Sequence, residues 1–593
     1  MTVVGFDFGT TNSLIAVVVG DRVIDIVDPE NGLPFPSVVR YEGASTLVGS
    51  EAKDSLDSVG VGVHGNTVMS PKFLLGEQSV HVGGVERSPI DIVHDVVQHV
   101  KTEALRSSRA STLDGVTQAV VTIPVGMTGP RRAALRDAFR RADIGITQFV
   151  HEPLAALYGY FRSSDDMGAL EREYDRRNIL VVDWGGGTLD LTLCRLNGGR
   201  LTQIRNSGSD DVGGDAFDEA IRNGVIERFI KDSGLGADSE IHPDARTRLL
   251  HDAEANKIAL STRSAATFYR QGFFRDPEAT LEYRLTREAM EEITRDIVRT
   301  GISRITDLLE SARIGSSQVA LCLVTGGMAS MPIIRSRLNE LFGPQRVHVP
   351  DNTGTLIAQG AAWVAHDGQR LRLARSIELE LARGSYLPVL PADTEMPIEK
   401  EVKQKAYNLY CVDPRDGTAK FQLCTPSRVG PDVQPSDARL PLGTVVVSVD
   451  GRAQPFRERL ELELTVDDDM ILHAAAWSTD LKDRSKAEFH DLEFGISLPG
   501  SEGSSGGTSV PFDDGPGHAH RSGDLVIRSN IAADADDSLV PGELLYSYRP
   551  SYFSRQARPP QVQIEEFLYY QPCAVCGRAS SDVDCRCASA PSA

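Results

Sequence analysis

Nowhere do the 593 residues hold an apolar run close to the roughly 20 residues that cross a bilayer, which argues against a membrane-spanning protein. Positive charge is also scarce. Against 83 Asp and Glu stand 62 Lys and Arg, a formal net charge of −21. Such a surface repels phosphate backbones and anionic lipid, so neither nucleic acid nor a membrane is an expected partner. The opening MTVVGFDFG has no basic leader region or cleavage site and reads as a first strand, so the expected location is the cytoplasm. No G-x-x-x-x-G-K-[ST] occurs at the glycine turns described below, and no G-x-G-x-x-G opens a helix there, which removes the two commonest nucleotide fingerprints. Cysteine is sparse as well. Cys194, Cys322, Cys411 and Cys424 sit singly among apolar residues and read as buried reduced thiols, whereas Cys573, Cys576, Cys585 and Cys587 crowd the last 21 residues.

What the chain does contain is one unit written twice. VVGFDFGTTNSLIAVVV (3–19) and VVDWGGGTLDLTL (181–193) each run strand, aspartate, glycine turn, threonine, strand. Asp7 and Asp183 end buried strands. Gly9-Thr10-Thr11 and Gly185-Gly186-Gly187-Thr188 form the turns, where glycine lets successive N–H groups approach phosphate oxygens and threonine adds hydroxyl donors. The aspartates would repel phosphate directly, so they point to a hydrated Mg2+ between themselves and a polyphosphate. Two such hairpins facing each other would clamp a nucleotide from both sides.

At 593 residues the chain exceeds one core and suggests about three to five domains. Residues 1–368 alternate β-rich runs, such as QAVVTIPV (118–125), NILVVDW (178–184) and VALCLVTGG (319–327), with helical stretches such as 88–106, 129–143, 152–161 and 286–311. The last keeps Met290, Ile293, Ile297, Ile302, Ile305 and Leu308 or Leu309 on one stripe, read as core. A short linker, 369–375, leads to strand-like alternation over 376–497. RLELELTV (459–466) and MILHAAAW (470–477) make a half-buried hairpin there, and several such units make a β-sandwich. Residues 498–523 are Gly/Ser-rich and read as a flexible linker, and 524–593 as a largely disordered tail.

DFGTTNS (7–13), VTIPVGMT (121–128), HEPLAALYG (151–159), DWGGGTLD (183–190) and VTGGMASMP (324–332) together resemble the actin-like ATPase superfamily. Within it the resemblance is to DnaK-type heat-shock chaperones, the seventy-kilodalton class. It implies an α/β fold of two lobes with duplicated ribonuclease-H-like cores, closing over ATP or ADP with Mg2+. On the matching positions it implies that Asp7, Asp183 and Asp190 organise the metal and its waters, with Glu152 helping. Gly9, Thr10, Thr11, Asn12, Gly185, Gly186, Gly187, Thr188 and Gly214 would line the phosphates. Lys72, in SPKFLLG (70–76), matches the catalytic lysine, and Pro124 and Arg132 match a pair that relays nucleotide state. Glu254, Lys257 and Ser261 match the adenosine helix, and Gly326 and Gly327 the glycine pair beside the base. Ser330 stands where the family usually has an arginine, which implies looser nucleotide binding.

For the second half the resemblance implies a domain gripping extended hydrophobic peptide. The linker RLRLARSIELEL (370–381) is basic where the family is acidic, no helical run follows 498–523 as a lid, and VGMTG (125–129) lacks the residues used near a J-domain. In the lid's place, C-x2-C then C-x-C can put four thiolates around zinc; a redox-active tail or no site are the alternatives. The expectation is an ATP-hydrolysing, stress-response chaperone for unfolded clients, with a J-domain co-chaperone and an exchange factor as open partners. A nucleotide-gated scaffold is the alternative, and a small-molecule kinase a weaker one.

Overall fold

The computed structural model describes residues 3–500, apart from 55–64, 108–114, 237–238, 243–244, 277, 382–384, 399–400, 412, 430–432 and 435. These residues form two units, one of 3–371 together with 493–500 and one of 372–492. Among them no helix is long and apolar enough to cross a membrane.

The first unit has the two-lobed actin-like α/β fold, and its duplication is visible strand by strand. In the first lobe the sheet runs Gly145–His151, Gln118–Ile123, Val4–Phe8, Asn12–Val19, Arg22–Ile26. In the second it runs Val347–His348, Val319–Thr325, Asn178–Trp184, Leu189–Asn197, Arg200–Ser209. Both put two parallel strands on one side of the aspartate-bearing strand and an antiparallel meander on the other. Strand Asn178–Trp184 is buried along its whole length, as a strand flanked by neighbours and covered on both faces must be.

Helices cover these sheets where the sequence supplies both a start and a face. Ser88 Oγ accepts from Ile90 N, and Pro89 opens the helix Pro89–Arg106, which buries Ile92, Val93, Val96, Val97 and Val100. Helices Glu152–Arg162 and Leu356–His366 meet through glycine, since a Cβ on Gly360 would lie 1.8 Å from Ala155 O. The stretch read as one helix over 286–311 is broken. Arg287–Ile293 and Arg295–Ser311 are separated by Thr294, whose hydroxyl donates to Met290 O (2.9 Å). The buried stripe is Met290, Val298, Gly301, Ile305, Leu308 and Leu309, while Ile293, Ile297 and Ile302 are half-buried. Gly301 is required there because its Cβ would fall 2.2 Å from the Trp184 ring.

The second unit is two four-stranded antiparallel sheets. One orders Ser385–Leu390, Ile377–Leu381, Thr418–Pro426, Arg439–Ser448, the other Lys403–Tyr410, Arg459–Val466, Leu472–Ser478, Arg484–Phe489. Leu460, Leu462, Leu464 and Val466 point inward, and each contributes roughly 1.5–3 kcal/mol by burial. The sheets face each other closely enough that a Cβ on Gly443 would meet the Phe489 ring at 2.3 Å, and Tyr407 OH donates to Val389 O (2.9 Å) across them. The strand-like alternation in the sequence places the end of the sandwich at residue 497. The strand Phe494–Ser497 instead pairs with Arg200–Ser209 in the first unit. Residues 501–593, with the Gly/Ser-rich linker and the cysteine cluster, lie outside the described residues. The four remaining cysteines are buried and in no disulfide, and burial raises the thiol pKa of Cys194 and Cys322.

Candidate functional site

The two glycine turns touch. A Cβ on Gly186 would sit 2.0 Å from Thr11 Oγ1, and one on Gly187 would sit 2.5 Å from Thr10 Cγ2 and 2.7 Å from the Phe73 ring. Only glycine allows that approach. Within each turn the backbone closes on itself. The space a Cβ on Gly9 would take lies 2.2 Å from Asn12 O, and Gly185 N donates to Thr188 O (2.8 Å). Behind the second turn stands the N-terminus of the 20-residue helix Gly214–Ser233, where Gly214 N donates to Gly185 O (3.1 Å) and Asp215 N to Gly186 O (2.7 Å).

The aspartates occupy equivalent places in the duplicated sheets, with equivalent partners. Thr122 Oγ1 donates to Asp7 Oδ1 (2.7 Å), and Thr325 Oγ1 donates to Asp183 Oδ1 (3.1 Å), each threonine lying directly across a parallel strand pair. Sequence alone does not single out these two threonines; the one signal is a hydroxyl near the end of an otherwise apolar strand in each copy. Asp183 also pairs across the hairpin with Asp190, whose Oδ1 accepts from Val125 N (3.0 Å).

Lys72 is not a solvated loop lysine. It is 6% exposed and 2.7 Å from Glu152 Oε1. Its loop is a single 3-10 turn, Pro71–Leu74, entered through Ser70 in the left-handed region (φ 53°), a conformation that costs of order 1 kcal/mol outside glycine. Arg131 pins the loop by donating to Phe73 O (2.9 Å) and Leu75 O (3.0 Å). Arg132 is fully buried, with Nε donating to Met127 O (2.8 Å).

Four carboxylates with one lysine make an acid-heavy cluster. Burial and then Glu152 push Asp7 up to about 6 and Asp190 up to about 7; burial, Glu152, Asp190 and Asp7 together raise Asp183 well above the carboxylate range. Asp190 Oδ2 and Thr11 Oγ1 are buried with no hydrogen-bond partner. Orphaned acceptors and excess negative charge fit a cation and the groups it carries. Among the described residues no three His, Cys, Asp or Glu side chains converge to ligate a metal directly. Beside them opens a cleft of about 390 Å3, lined by Thr10, Lys72, Met127, Thr188, Asp190 and Arg304.

The predicted base-side residues are differently engaged. Lys257 is buried, 2.7 Å from Asp218 Oδ2 and 3.1 Å from Gly214 O. Glu254 pairs with Lys53 of the first lobe at 3.0 Å. Ser261 Oγ reaches Lys257 O at 3.4 Å. Gly326 (φ 83°) passes so close that a Cβ would lie 2.3 Å from Trp184 O and 2.7 Å from Asp183 Oδ1; around Gly327 the space is open. Ser330 Oγ donates to Gly327 O (2.8 Å). Cys573, Cys576, Cys585 and Cys587 lie outside the described residues.

The sequence model of the family described as Hsp70 protein matches residues 3–369. The chain belongs to the Hsp70 family. Among curated Hsp70 relatives, the chaperone protein DnaK of Thermosipho melanesiensis is 29% identical over 418 residues, 67% of this chain and 66% of that protein. The DnaK proteins of Mycoplasmoides gallisepticum and Thermotoga petrophila are each 28% identical over 416 residues, 67% of both chains. This Hsp70-family chain therefore spans about two thirds of the length of the relatives it matches. The Hsp70 match ends within three residues of where the second unit begins at 372.

Proposed function

We propose that the chain is a Mg2+-dependent ATPase of the DnaK type that couples slow hydrolysis to holding hydrophobic segments of client proteins. The observation that carries this reading is the contact of Gly186 with Thr11 over a buried carboxylate cluster. Backbone N–H groups of Gly9–Thr11 and Gly185–Thr188, with the hydroxyls of Thr10, Thr11 and Thr188, bind the polyphosphate from two sides. Magnesium, when bound, supplies positive charge to the phosphate oxygens, and Asp7, Asp183 and Asp190 hold it through its waters. Lys72, aimed by Glu152, offers its remaining N–H donors to the terminal phosphoryl group, and Glu152 orients the attacking water. Positioning and charge compensation supply the catalysis. Glu254, Lys257, Ser261, Gly326 and Gly327 form the nucleoside side, and Ser330 leaves the base more loosely held than an arginine would.

Steady ATP turnover that needs Mg2+ and falls in Thr188→Ala, with nucleotide affinity nearly retained, supports the assignment; turnover equal to wild type in that variant overturns it. Stimulation by an unfolded hydrophobic peptide supports the chaperone over a nucleotide-gated scaffold, and formation of a phosphosugar would mean a kinase. The same assay with a J-domain protein and an exchange factor tests those partners, and fractionation of cells tests the cytoplasmic location. For Cys573, Cys576, Cys585 and Cys587 we propose one zinc ion in a four-thiolate site. Elemental analysis should give one zinc per chain, lost in Cys573→Ser/Cys576→Ser; no zinc in the wild type overturns it.

A further inference from the structure

Strand Phe494–Ser497 follows the last strand of the second unit, yet it joins a sheet of the first. It runs antiparallel to Arg200–Ser209, pairing Thr202 with Gly495, Leu201 with Ile496 and Arg200 with Ser497, and Leu498 N donates to Gly199 O (2.8 Å). Phe494, Ile496 and Leu498 are buried. Its side chains and backbone then reach toward the first lobe. Phe494 N donates to Gln203 Oε1 (2.9 Å), and Arg205 pairs with Glu493 (3.0 Å). Gln203, fully buried, lies 3.3 Å from His151 Nδ1, and the Phe494 ring stands 5.5 Å from the His151 ring, centroid to centroid. Both Oε1 and Nε2 of Gln203 lie 3.3 Å from His151 Nδ1, so the amide holds the imidazole in either tautomer.

His151 is the last residue of its strand, and the next residue is Glu152. The segment just before the second unit is tied to the same strand: Gln148 Oε1 accepts from Leu371 N (3.0 Å), and its amide donates to Gln369 O (3.2 Å). The strand that leads to Glu152 thus carries the chain on both sides of the 372–492 unit.

We propose that strand Phe494–Ser497 positions Glu152 for the reaction, with Phe494, Gln203 and His151 as positioning residues. This rests on the ATPase reading above. An open Arg200–Ser209 edge would leave Gln203 and His151 uncovered and the imidazole free to turn. Glu152 aims Lys72, so a small rotation at its helix start moves both groups off the reacting phosphoryl, while the phosphate turns, built elsewhere, stay intact.

The test uses the full chain and compares wild type with Phe494→Ala, Phe494→Leu and Gln203→Leu. Single-turnover hydrolysis, ATP affinity and thermal melting are measured together. We expect Phe494→Ala and Gln203→Leu to slow the hydrolysis step by about tenfold, while the ATP dissociation constant stays within about twofold of wild type. Phe494→Leu, which keeps an apolar body in the slot, should recover most of the rate. If Phe494→Ala fails to fold, Gln203→Leu and the milder Glu493→Gln carry the comparison. Hydrolysis at the wild-type rate in folded Gln203→Leu and Phe494→Ala overturns the inference alone, as does a rate loss matched by an equal loss of ATP affinity. A wild-type protein that never hydrolyses ATP overturns the functional reading, and this inference with it.

Discussion

Lys72 Nζ lies 2.7 Å from Glu152 Oε1, and both side chains are buried. That ammonium is also the cation that pulls Asp7 and Asp190 back down against burial and Glu152. Its loss should therefore cost more than the loss of its partner. Lys72→Ala is expected to destabilise the nucleotide-free protein by about 3 kcal/mol, the scale of breaking a buried pair, and Glu152→Gln by clearly less. Urea unfolding without Mg2+ measures both; equal losses would show that Lys72 answers only to Glu152.

The contact between the two turns gives a steric prediction. Gly186→Ala places a methyl where Thr11 Oγ1 stands, so the turns must part or Thr11 must rotate. Hydrolysis should fall by about tenfold or more, since a displacement near 1 Å is costly at a reacting centre. Adding Thr11→Ala removes the closest overlap and should restore part of the rate in the same assay. No recovery would place the damage within the glycine turn itself.

Lys53 and Glu254 join the lobes through an ion pair, each side chain about a fifth exposed. A pair so wetted contributes on the order of 0.5 kcal/mol to stability. Its effect should appear in rates instead. Lys53→Ala is expected to speed release of a fluorescent nucleotide severalfold while the melting temperature barely moves; unchanged release in stopped flow would remove the pair from the exchange step.

The acid cluster sets a pH dependence with a definite sign. Asp7 and Asp190 rise from 3.8 to about 6 and about 7 in the folded protein. The folded state therefore holds more protons than the unfolded one between about pH 4 and 7, and stability from these groups is full below 3.8 and lost as pH rises through 6 and 7. Asp215 and the buried Asp218 are shifted in the same direction. Nucleotide with Mg2+ must expel those protons, so the rise in melting temperature it gives should grow between pH 5.5 and 8, roughly the span of these titrations. An equal rise at both ends would show that these carboxylates do not face the metal.

Much of this site was legible in the sequence because its chemistry is local. Strand, aspartate, glycine turn and threonine lie within a dozen residues of one another, so Asp7, Thr11, Asp183 and Gly186 could be read off two short stretches. Thr122 and Thr325 were not, because a hydroxyl at the end of an apolar strand looks alike whether or not an aspartate lies across from it. Helix Leu356–His366 escaped for a different reason. It is apolar nearly all round and buried nearly all round, so it has no stripe to detect. Lys257 matches a motif, but its pairing with Asp218, a partner one helix away, leaves no local trace in the sequence. Strand Phe494–Ser497 is four residues of ordinary β character, and nothing in them tells which sheet will take them.

That last strand has a consequence for synthesis. A ribosome making this chain releases residues 372–492 before it releases Phe494, and those intervening residues can pair their own two sheets while the Arg200–Ser209 edge still waits. The earlier-made unit is then the later to be finished. A nascent chain halted before residue 493 carries every phosphate-turn residue but lacks the strand beside Gln203, so the Arg200–Ser209 edge stays unpaired there until the sandwich has left the ribosome.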